Sequence, residues 1–195
     1  MSAAGIARFC EQAAAADGTR LLLRLLSPSD GAALRSSVAR MSPRSRYFRF
    51  FAPKDDLTAD DLRLLLAIDG ERHLALGAFS QGQLWGVGRF VRHGQEAAAE
   101  VALEVGDRLQ RIGIGTLLLR RLEDLARERG VARFTGQVLC DNHGMIALLR
   151  NAGAHLGLTS RGVVEARLDL SESSPALERE RSEGAAGFEP ATPAV

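Results

Sequence analysis

The segment with the clearest chemical potential is the heptapeptide at residues 110–116, which reads QRIGIGT just before a helical pattern. Glycines at alternate positions let a backbone approach a ligand closely. The first N–H groups of a helix are unpaired and carry a partial positive charge, so they bind anions and phosphates in particular. Each charge-assisted hydrogen bond contributes about 1.5–3 kcal/mol, so three or four would hold a diphosphate without a lysine. The candidate anion-binding residues are Gln110, Arg111, Ile112, Gly113, Ile114, Gly115 and Thr116.

Two common phosphate loops do not fit this segment. A P-loop requires Gly-Lys-Ser/Thr, but Gly115 is followed by Thr116 and Leu117. The dinucleotide fingerprint G-x-G-x-x-G requires a small residue at position 118, where Leu118 stands, and a βαβ unit around it. Nucleotide hydrolysis and dinucleotide binding are therefore disfavoured.

Two carboxylates precede the loop on a predicted strand at residues 99–105. Because side chains alternate along a strand, Glu100 and Glu104 share one face, while Leu103 and Val105 lie on the other. A carboxylate beside an anion site can act as a general base. The spacing alone nevertheless favours a solvated face for both glutamates.

The elements that must position these groups follow from periodicity and capping signals. The run TRLLLRLL at residues 19–26 predicts a strand, and the pairs Ser27-Pro28 and Ser42-Pro43 predict helix starts. Thr58, with Asp61 three residues later, forms a capping box for a further short helix.

The central part of the chain predicts a meander of three strands at residues 73–80, 84–92 and 99–105. Apolar residues then recur at helical spacing until Gly130. A strand at 133–139, a short helix at 143–152 and strands near 155 and at 163–168 complete the pattern. This order predicts an α+β fold.

Composition shifts define three regions. Residues 1–18 form an N-terminal extension whose Ala-rich stretch is compatible with a helix, and residues 19–170 form the domain. Residues 171–195 are rich in Ser, Glu, Ala and Pro, so they predict a disordered tail.

The composition limits the classes of partner. Apolar residues make up 46% and charged residues 25% of the 195 residues, which is typical of a globular protein. The net charge of +1 gives no general attraction to nucleic acids or anionic membranes. The four histidines have no metal-ligand spacing, so we expect no metal site.

The two cysteines, Cys10 and Cys140, form neither a CxxC pair nor a disulfide framework. The N-terminus lacks the pattern of a signal peptide, and no apolar run is long enough to span a membrane. We therefore expect a reduced, cytoplasmic protein.

Taken in order along the chain, these motifs resemble the GCN5-related N-acetyltransferase (GNAT) family. The resemblance rests on AEVA at 99–102, the Q-x-x-G-x-G of the loop, the helix after it, VLCDNHGM at 138–145 and NAG at 151–153. Upstream, SPRSRYFRFF at 42–51 and WGVGR at 85–89 are similar to the bacterial Pat-like protein acetyltransferases. The resemblance covers about residues 19–157 and implies a mixed, mostly antiparallel central sheet flanked by helices.

The resemblance implies that acetyl-CoA is the co-substrate and that the loop binds its diphosphate. It assigns the general base to Glu100, because this residue occupies the position of the family's base, and it leaves Glu104 without such a role. The pantetheine arm would lie along Leu103 and Val105, between the strands at 99–105 and 133–139, with a backbone N–H near Val105 bonded to the thioester carbonyl. Asn142 would contact the same arm, although an Asp-Asn pair also forms turns without a ligand. Arg108, Arg111 and Arg150 are further candidates for the phosphates, although arginines flanking a helix are more often solvated.

The resemblance also implies an acceptor side. Arg46, Tyr47 and Arg49 would line it, although their aromatic neighbourhood also suits a core. Many relatives protonate the leaving thiolate with a tyrosine of the last helix, where this chain has Leu149. A thiol with a pKa near 8.5 is a fair leaving group, so this absence affects the acid and not the reaction.

The expected reaction is direct acetyl transfer to a primary amine in a ternary complex, with a protein lysine as the preferred acceptor. A small amine is the alternative acceptor, and an acyl-CoA sensor without turnover is the alternative class. Pat-like enzymes often carry a fused sensor or ligase-like domain, and we expect neither here, so any such regulation would act in trans.

Overall fold

The core of the molecule is an eight-stranded sheet with a single parallel strand pair among the residues described. The computed structural model describes residues 9–94, 96–158 and 162–170. The strand order across the sheet is β1-β2-β3-β4-β5-β6-β8-β7, and only β5 and β6 run parallel. The strands are β1 (Cys10–Ala14), β2 (Arg20–Leu25), β3 (His73–Ser80), β4 (Gln83–Arg92), β5 (Ala98–Val105), β6 (Arg133–Leu139), β7 (His155–Leu158) and β8 (Val163–Asp169).

In the described part of the chain, five α-helices connect these strands, and two of them start at the predicted caps. The predicted start at Ser27-Pro28 opens a 3₁₀ turn at Pro28–Asp30 that leads into the first helix. Ser42 Oγ accepts a hydrogen bond from Ser45 N at the start of the second helix. Thr58 and Asp61 cap the third helix reciprocally, since each side chain accepts a bond from the other's backbone N–H. The helices are α1 (Gly31–Ala39), α2 (Pro43–Phe50), α3 (Ala59–Leu65), α4 (Ile114–Arg127) and α5 (His143–Asn151).

The predicted hairpin is confirmed and joins β3 to β4. Gln81 and Gly82 both have positive φ, 49° and 74°, which is the backbone of the turns that suit the twist of two-residue hairpins. Ser80 therefore pairs with Gln83, one residue earlier than the predicted start of the second strand.

The sheet buries apolar side chains on both faces. On one face, α4 packs against β3, β4 and β5, and its side chains Leu118, Leu119 and Leu122 are at most 1% exposed. On the other face, Leu34 and Val38 of α1 pack with residues of β3 and β4 in a second cluster. The alternation of strand residues thus supplies two separate cores.

Glycines on β4 permit the close approach of α4. A Cβ atom on Gly88 would overlap the side chain of Leu122, and one on Gly86 would lie 2.9 Å from Leu118 Cδ1. Two glycines of the Trp85–Arg89 stretch therefore serve the packing of a helix on the sheet.

The N-terminal residues differ from expectation. The Ala-rich stretch forms strand β1 and not a helix, because its backbone pairs with β2 from Cys10↔Arg24 to Ala14↔Arg20. The sheet therefore begins before Thr19, where the domain was expected to start. The tail predicted for 171–195 lies outside the described residues.

The predicted α+β class with a mostly antiparallel sheet is confirmed. In the described ranges, none of the helices has the length and apolar content needed to cross a bilayer.

Candidate active site

A large cavity lies where β5 and β6 separate. These strands pair only from Ala98↔Arg133 to Glu100↔Thr135; beyond this point each continues with its other neighbour. The resulting cleft has a volume of about 910 Å³ and is lined by β5, β6, the start of α4, α5 and α2. The residues that line it include both Glu100 and the glycine loop.

The loop at residues 110–116 forms one end of the cavity. Arg111 and Gly113 have positive φ, 65° and 89°, so the chain reverses sharply before α4 begins at Ile114. Gly113 is the N-cap of α4 and has no side chain with which to cap the free N–H groups. The start of a 14-residue helix therefore meets the cavity without a capping side chain.

Gly115 lies in the first turn of α4, beside α5 and β5. A Cβ atom there would lie 3.4 Å from Leu148 Cδ2 of α5 and 3.9 Å from Val105 Cγ2 of β5, which are ordinary van der Waals contacts. The packing around the helix start would therefore also accommodate a methyl group at this position.

The structure divides the predicted coenzyme residues into two groups. Ile112 and Ile114 do not line the cavity; Ile114 is 1% exposed in the core, and the Ile112 carbonyl accepts a hydrogen bond from Ala16 N. The others line it: Leu103, Val105, Gln110, Arg111, Gly113, Gly115, Thr116 and Asn142.

Asn142 lines the cavity and also caps helix α5. Its Oδ1 accepts a hydrogen bond from Met145 N at 3.2 Å and so caps α5. The cap uses the amide oxygen, so the NH₂ group is the part of this side chain that can serve a ligand.

Glu100 and Glu104 lie on the same face of β5, as predicted, but in different surroundings. Glu100 is 64% exposed in its side chain, lines the cavity, and has its Oε2 3.8 Å from His93 Nε2. Glu104 is 5% exposed in its side chain and accepts a 2.6 Å hydrogen bond from Arg49 Nε. The prediction that Glu104 is solvated is wrong, because α2 covers this end of the strand.

A second arginine lies close to these glutamates. Arg89 is on β4, opposite Ala102 and thus diagonal to both Glu100 and Glu104. Burial, followed by repulsion from Arg49, lowers the pKa of Arg89, and attraction to Glu104 and Glu100 opposes this. The face of β5 that carries both glutamates is therefore a charge cluster with two arginines.

Helix α2 forms the acceptor side of the cavity. Of the predicted residues, Arg49 lines the cavity, and its Nε donates a hydrogen bond to Glu104. Arg46 instead donates to Met41 O at 2.9 Å and lies 3.6 Å from Asp55. Tyr47 is 44% exposed and lies outside the cavity lining. Leu149, at the position expected for a tyrosine, is buried and packs in a small apolar cluster with Val138 and Ala166.

Sequence reasoning missed Asp107. This residue lines the cavity and accepts hydrogen bonds from Ser42 and Ser45 of α2. The signal was a pair of serines three residues apart at the start of α2, and nothing in the sequence showed that their partner lies 65 and 62 residues farther along the chain.

Known proteins are similar to this chain in sequence and in architecture. The profile of the Acetyltransferase (GNAT) family matches residues 40–154. Acetyltransferase PA5475 of Pseudomonas aeruginosa is 31% identical over 118 residues, covering 58% of this chain and 63% of that protein. Acetyltransferase Pat of Mycolicibacterium smegmatis is 33% identical over 157 residues, covering 78% of this chain and 46% of that protein. The chain thus spans less than two thirds of the length of either relative.

A solved structure shows the same likeness in three dimensions. The crystal structure of the GNAT domain of S. lividans PAT superposes with a TM-score of 0.78 and 31% sequence identity, covering 82% of this chain and 96% of that one. The family match, the relatives and the shared fold agree with the resemblance found in the sequence. The chain belongs to the acetyltransferase (GNAT) family.

Proposed function

We propose that this chain transfers the acetyl group of acetyl-CoA to the side-chain amine of a protein lysine, with Glu100 as general base. The observation that carries this proposal is that one cavity, in the gap between β5 and β6, is lined both by the uncapped start of α4 and by Glu100. Membership of the acetyltransferase family supports the reaction. Free, exposed Cys10 and Cys140 suit the reducing cytoplasm that we propose as its location.

The coenzyme half of the cavity matches the charge of the proposed co-substrate. The backbone N–H groups of the loop residues that line the cavity would bond the diphosphate, and the pantetheine arm would follow Leu103 and Val105 along the unpaired side of β5. Asn142 would donate its NH₂ group to an amide carbonyl of this arm. The thioester would then lie in the gap, with its carbonyl polarised by a backbone N–H near Val105.

The chemical step requires removal of a proton. An alkyl amine has a pKa near 10.4 and is protonated at neutral pH, so it cannot attack until a base takes its proton. Glu100 would accept this proton directly or through water. The amine nitrogen then bonds to the thioester carbon, the C–S bond breaks, and the thiolate of CoA leaves. The nitrogen loses its second proton, which reaches the thiolate directly or through water and gives the free thiol of CoA. Glu104 is less suited to this task, because the Arg49 guanidinium occupies its Oε2.

The acceptor assignment rests on the exposed residues that line the cavity beside α2 and on the relatives. The cavity opens beside α2, where Arg44 and Phe51 are exposed at its edge, and this leaves access for a side chain presented by another protein. The curated relative from M. smegmatis and the solved S. lividans domain both carry the name Pat.

The test compares wild type with Glu100→Gln in lysates incubated with isotope-labelled acetyl-CoA. We expect labelled protein lysines with wild type, and a loss of about 10²–10⁴ in rate for the variant. Calorimetry with acetyl-CoA should give nearly the same affinity for both. The control is Glu128→Gln, which removes the same charge from a side chain that is 69% exposed on the far end of α4, and its activity should equal that of wild type.

Other outcomes would revise the proposal. Label found only in small amines would replace the acceptor class. Binding of acetyl-CoA without release of free thiol across proteins and amines would make the chain a sensor, and full activity of Glu100→Gln would remove Glu100 as the base.

A further inference from the structure

Polar contacts join helix α2 to β5 and to the residues that follow β5, and Phe50 at the end of α2 packs against the second core cluster. None of its eight residues is buried, in contrast to α4. Arg49 near its C-terminus binds Glu104, the last acidic residue of β5. Ser42 and Ser45 at its N-terminus bind Asp107, which follows β5 immediately before the glycine loop. Both attachments therefore end on the segment that leads into the proposed coenzyme site.

The attachment through the Asp107 carboxylate includes more hydrogen bonds than the attachment through Glu104. Its Oδ2 accepts a 2.6 Å hydrogen bond from Ser42 N, and its Oδ1 accepts one from Ser45 Oγ. Ser42 Oγ lies 3.3 Å from the same Oδ1. One carboxylate thus binds both the N-cap backbone and two side chains at the start of α2.

The same carboxylate also reaches the glycine loop. Gln110 Nε2 lies 3.4 Å from Asp107 Oδ1 and donates a 2.9 Å hydrogen bond to Val105 O. Asp107 and Leu109 bound a short 3₁₀ turn, so only one turn of backbone separates the carboxylate from the loop. A shift of the loop therefore moves the residue that holds α2.

The geometry points to a role for Asp107 as a positioning residue that couples the coenzyme loop to helix α2, so that a bound coenzyme stabilises the acceptor side of the cavity. This inference rests on the proposed function, since it takes the loop at 110–116 as the coenzyme site. Burial opposes ionisation of Asp107, but the hydrogen bonds from Ser45 and Ser42 outweigh it and lower its pKa, so the carboxylate is charged at neutral pH.

The coupling differs from a purely structural attachment in one measurable respect. If Asp107 only held α2 in place, hydrogen exchange in α2 would be the same with and without coenzyme. If it couples the two sites, the coenzyme slows exchange in α2, and the slowing requires Asp107 and its serine partners.

The experiment measures amide hydrogen exchange by mass spectrometry over residues 43–50 of the full chain, with and without CoA. In wild type, saturating CoA should slow exchange in α2 by about 5-fold or more, the lower end of typical coupling between sites. Asp107→Asn should abolish this slowing, while calorimetry shows CoA affinity reduced by less than about 3-fold, because the coupling energy and not the loop is removed.

Two further variants sharpen the test. The double variant Ser42→Ala/Ser45→Ala removes both hydroxyl partners of Asp107 and leaves only the bond from the Ser42 backbone N–H. It should therefore lose most of the coupling, which keeps the test valid if Asp107→Asn folds poorly. Asp55→Asn is the matched control: it removes an equal charge from a fully exposed partner of Arg46 on α2, has no contact with the loop, and should keep the CoA-dependent slowing.

The outcomes separate this inference from the proposed function. CoA binding without any slowing in wild-type α2, or slowing that persists in Asp107→Asn, overturns the coupling and leaves the acetyltransferase proposal intact. A calorimetric titration that shows no CoA binding overturns both.

Discussion

Helices α4 and α2 meet the same cavity but are held in opposite ways. Seven residues of α4 are buried, and β4 carries glycines that let the helix lie close to the sheet. No residue of α2 is buried; an ion pair and hydrogen bonds link it to β5 and to Asp107 after β5, and Phe50 adds a partly buried apolar contact. Apolar packing therefore dominates on the side that we assign to the coenzyme, and polar contacts contribute more on the side that we assign to the acceptor.

This difference suits two ligands of different kinds. A coenzyme that is always the same is served by a rigid helix start, since preorganised N–H groups need no rearrangement on binding. A helix held by a few polar contacts can move with less cost, because such contacts each contribute only about 0.5–3 kcal/mol.

The largest effect is expected from the packing of α4. Leu118→Ala removes a side chain that is 0% exposed between α4 and Gly86, so it should lower the free energy of unfolding by about 2–5 kcal/mol. Leu64→Ala on α3 is the matched control, because Leu64 is 72% exposed and its loss should cost less than about 0.5 kcal/mol. Denaturant unfolding measures both, and equal losses would contradict the described core.

A smaller loss is expected from the ion pair under α2. Glu104→Gln keeps the size of the side chain but leaves the charges of Arg49 and Arg89 without their buried carboxylate, which should cost about 1–3 kcal/mol. Glu165→Gln changes an exposed glutamate of β8 and should stay within about 0.5 kcal/mol of wild type. An unchanged unfolding free energy for Glu104→Gln would show that polar contacts do not hold α2.

A third variant tests whether the glycine loop binds the coenzyme, with a control for the effect of backbone strain alone. Gly113→Ala places a Cβ at φ 89° and should cost about 1–2 kcal/mol of stability. It should also weaken CoA binding about tenfold, equal to one charge-assisted hydrogen bond. Gly82→Ala meets similar strain at φ 74° in the distant hairpin turn, so calorimetry should find its CoA affinity unchanged. Equal affinity in both variants would remove the loop from the coenzyme site.

The smallest effect is a difference in pH response between the two sides. The lowered pKa of Asp107 means that its contribution to stability is present above the pKa of the unfolded residue and is lost as the pH falls through the folded value. Glu123 on α4 has the opposite sign: burial raises its pKa, attraction to Arg127 opposes this, and its ionisation costs stability as the pH rises. Acidification should therefore weaken the α2 attachment before the packing of α4.

The single tryptophan reports on this region, because Trp85 O accepts a 2.7 Å hydrogen bond from Gly106 N, next to Asp107. Titration from about pH 7 to about pH 3 should change Trp85 fluorescence before the far-UV circular dichroism changes. Asp107→Asn should lack the early change. Coincident transitions in wild type would contradict a separate attachment of α2.

Local sequence signals predicted most of the fold. The period of α4, the hairpin turn and the caps at Ser42 and Thr58 each depend on residues close in sequence, and each is confirmed. Strand β1 was not predicted, because Cys10–Ala14 has small and polar residues whose propensity favours a helix, and its pairing with β2 is a tertiary effect.

The site was predictable where one segment suffices and not where two distant segments meet. The glycine loop is a continuous motif, and its position at the cavity follows from the strand before it and the helix after it. The environment of Glu104 depends on Arg49, and that of Asp107 on two serines of α2, so neither could be derived from the alternation along β5. The roles assigned to the loop, to Asn142 and to Glu100 stay predictions until a ligand is seen.

A crystal structure of the chain with CoA bound tests the central claim most directly. We expect the diphosphate oxygens within about 3 Å of the backbone nitrogens at the start of α4, and the thiol in the gap between β5 and β6 beside Glu100. A complex in which CoA lies elsewhere and the turn at Gly113 and Gly115 holds no phosphate would contradict this account.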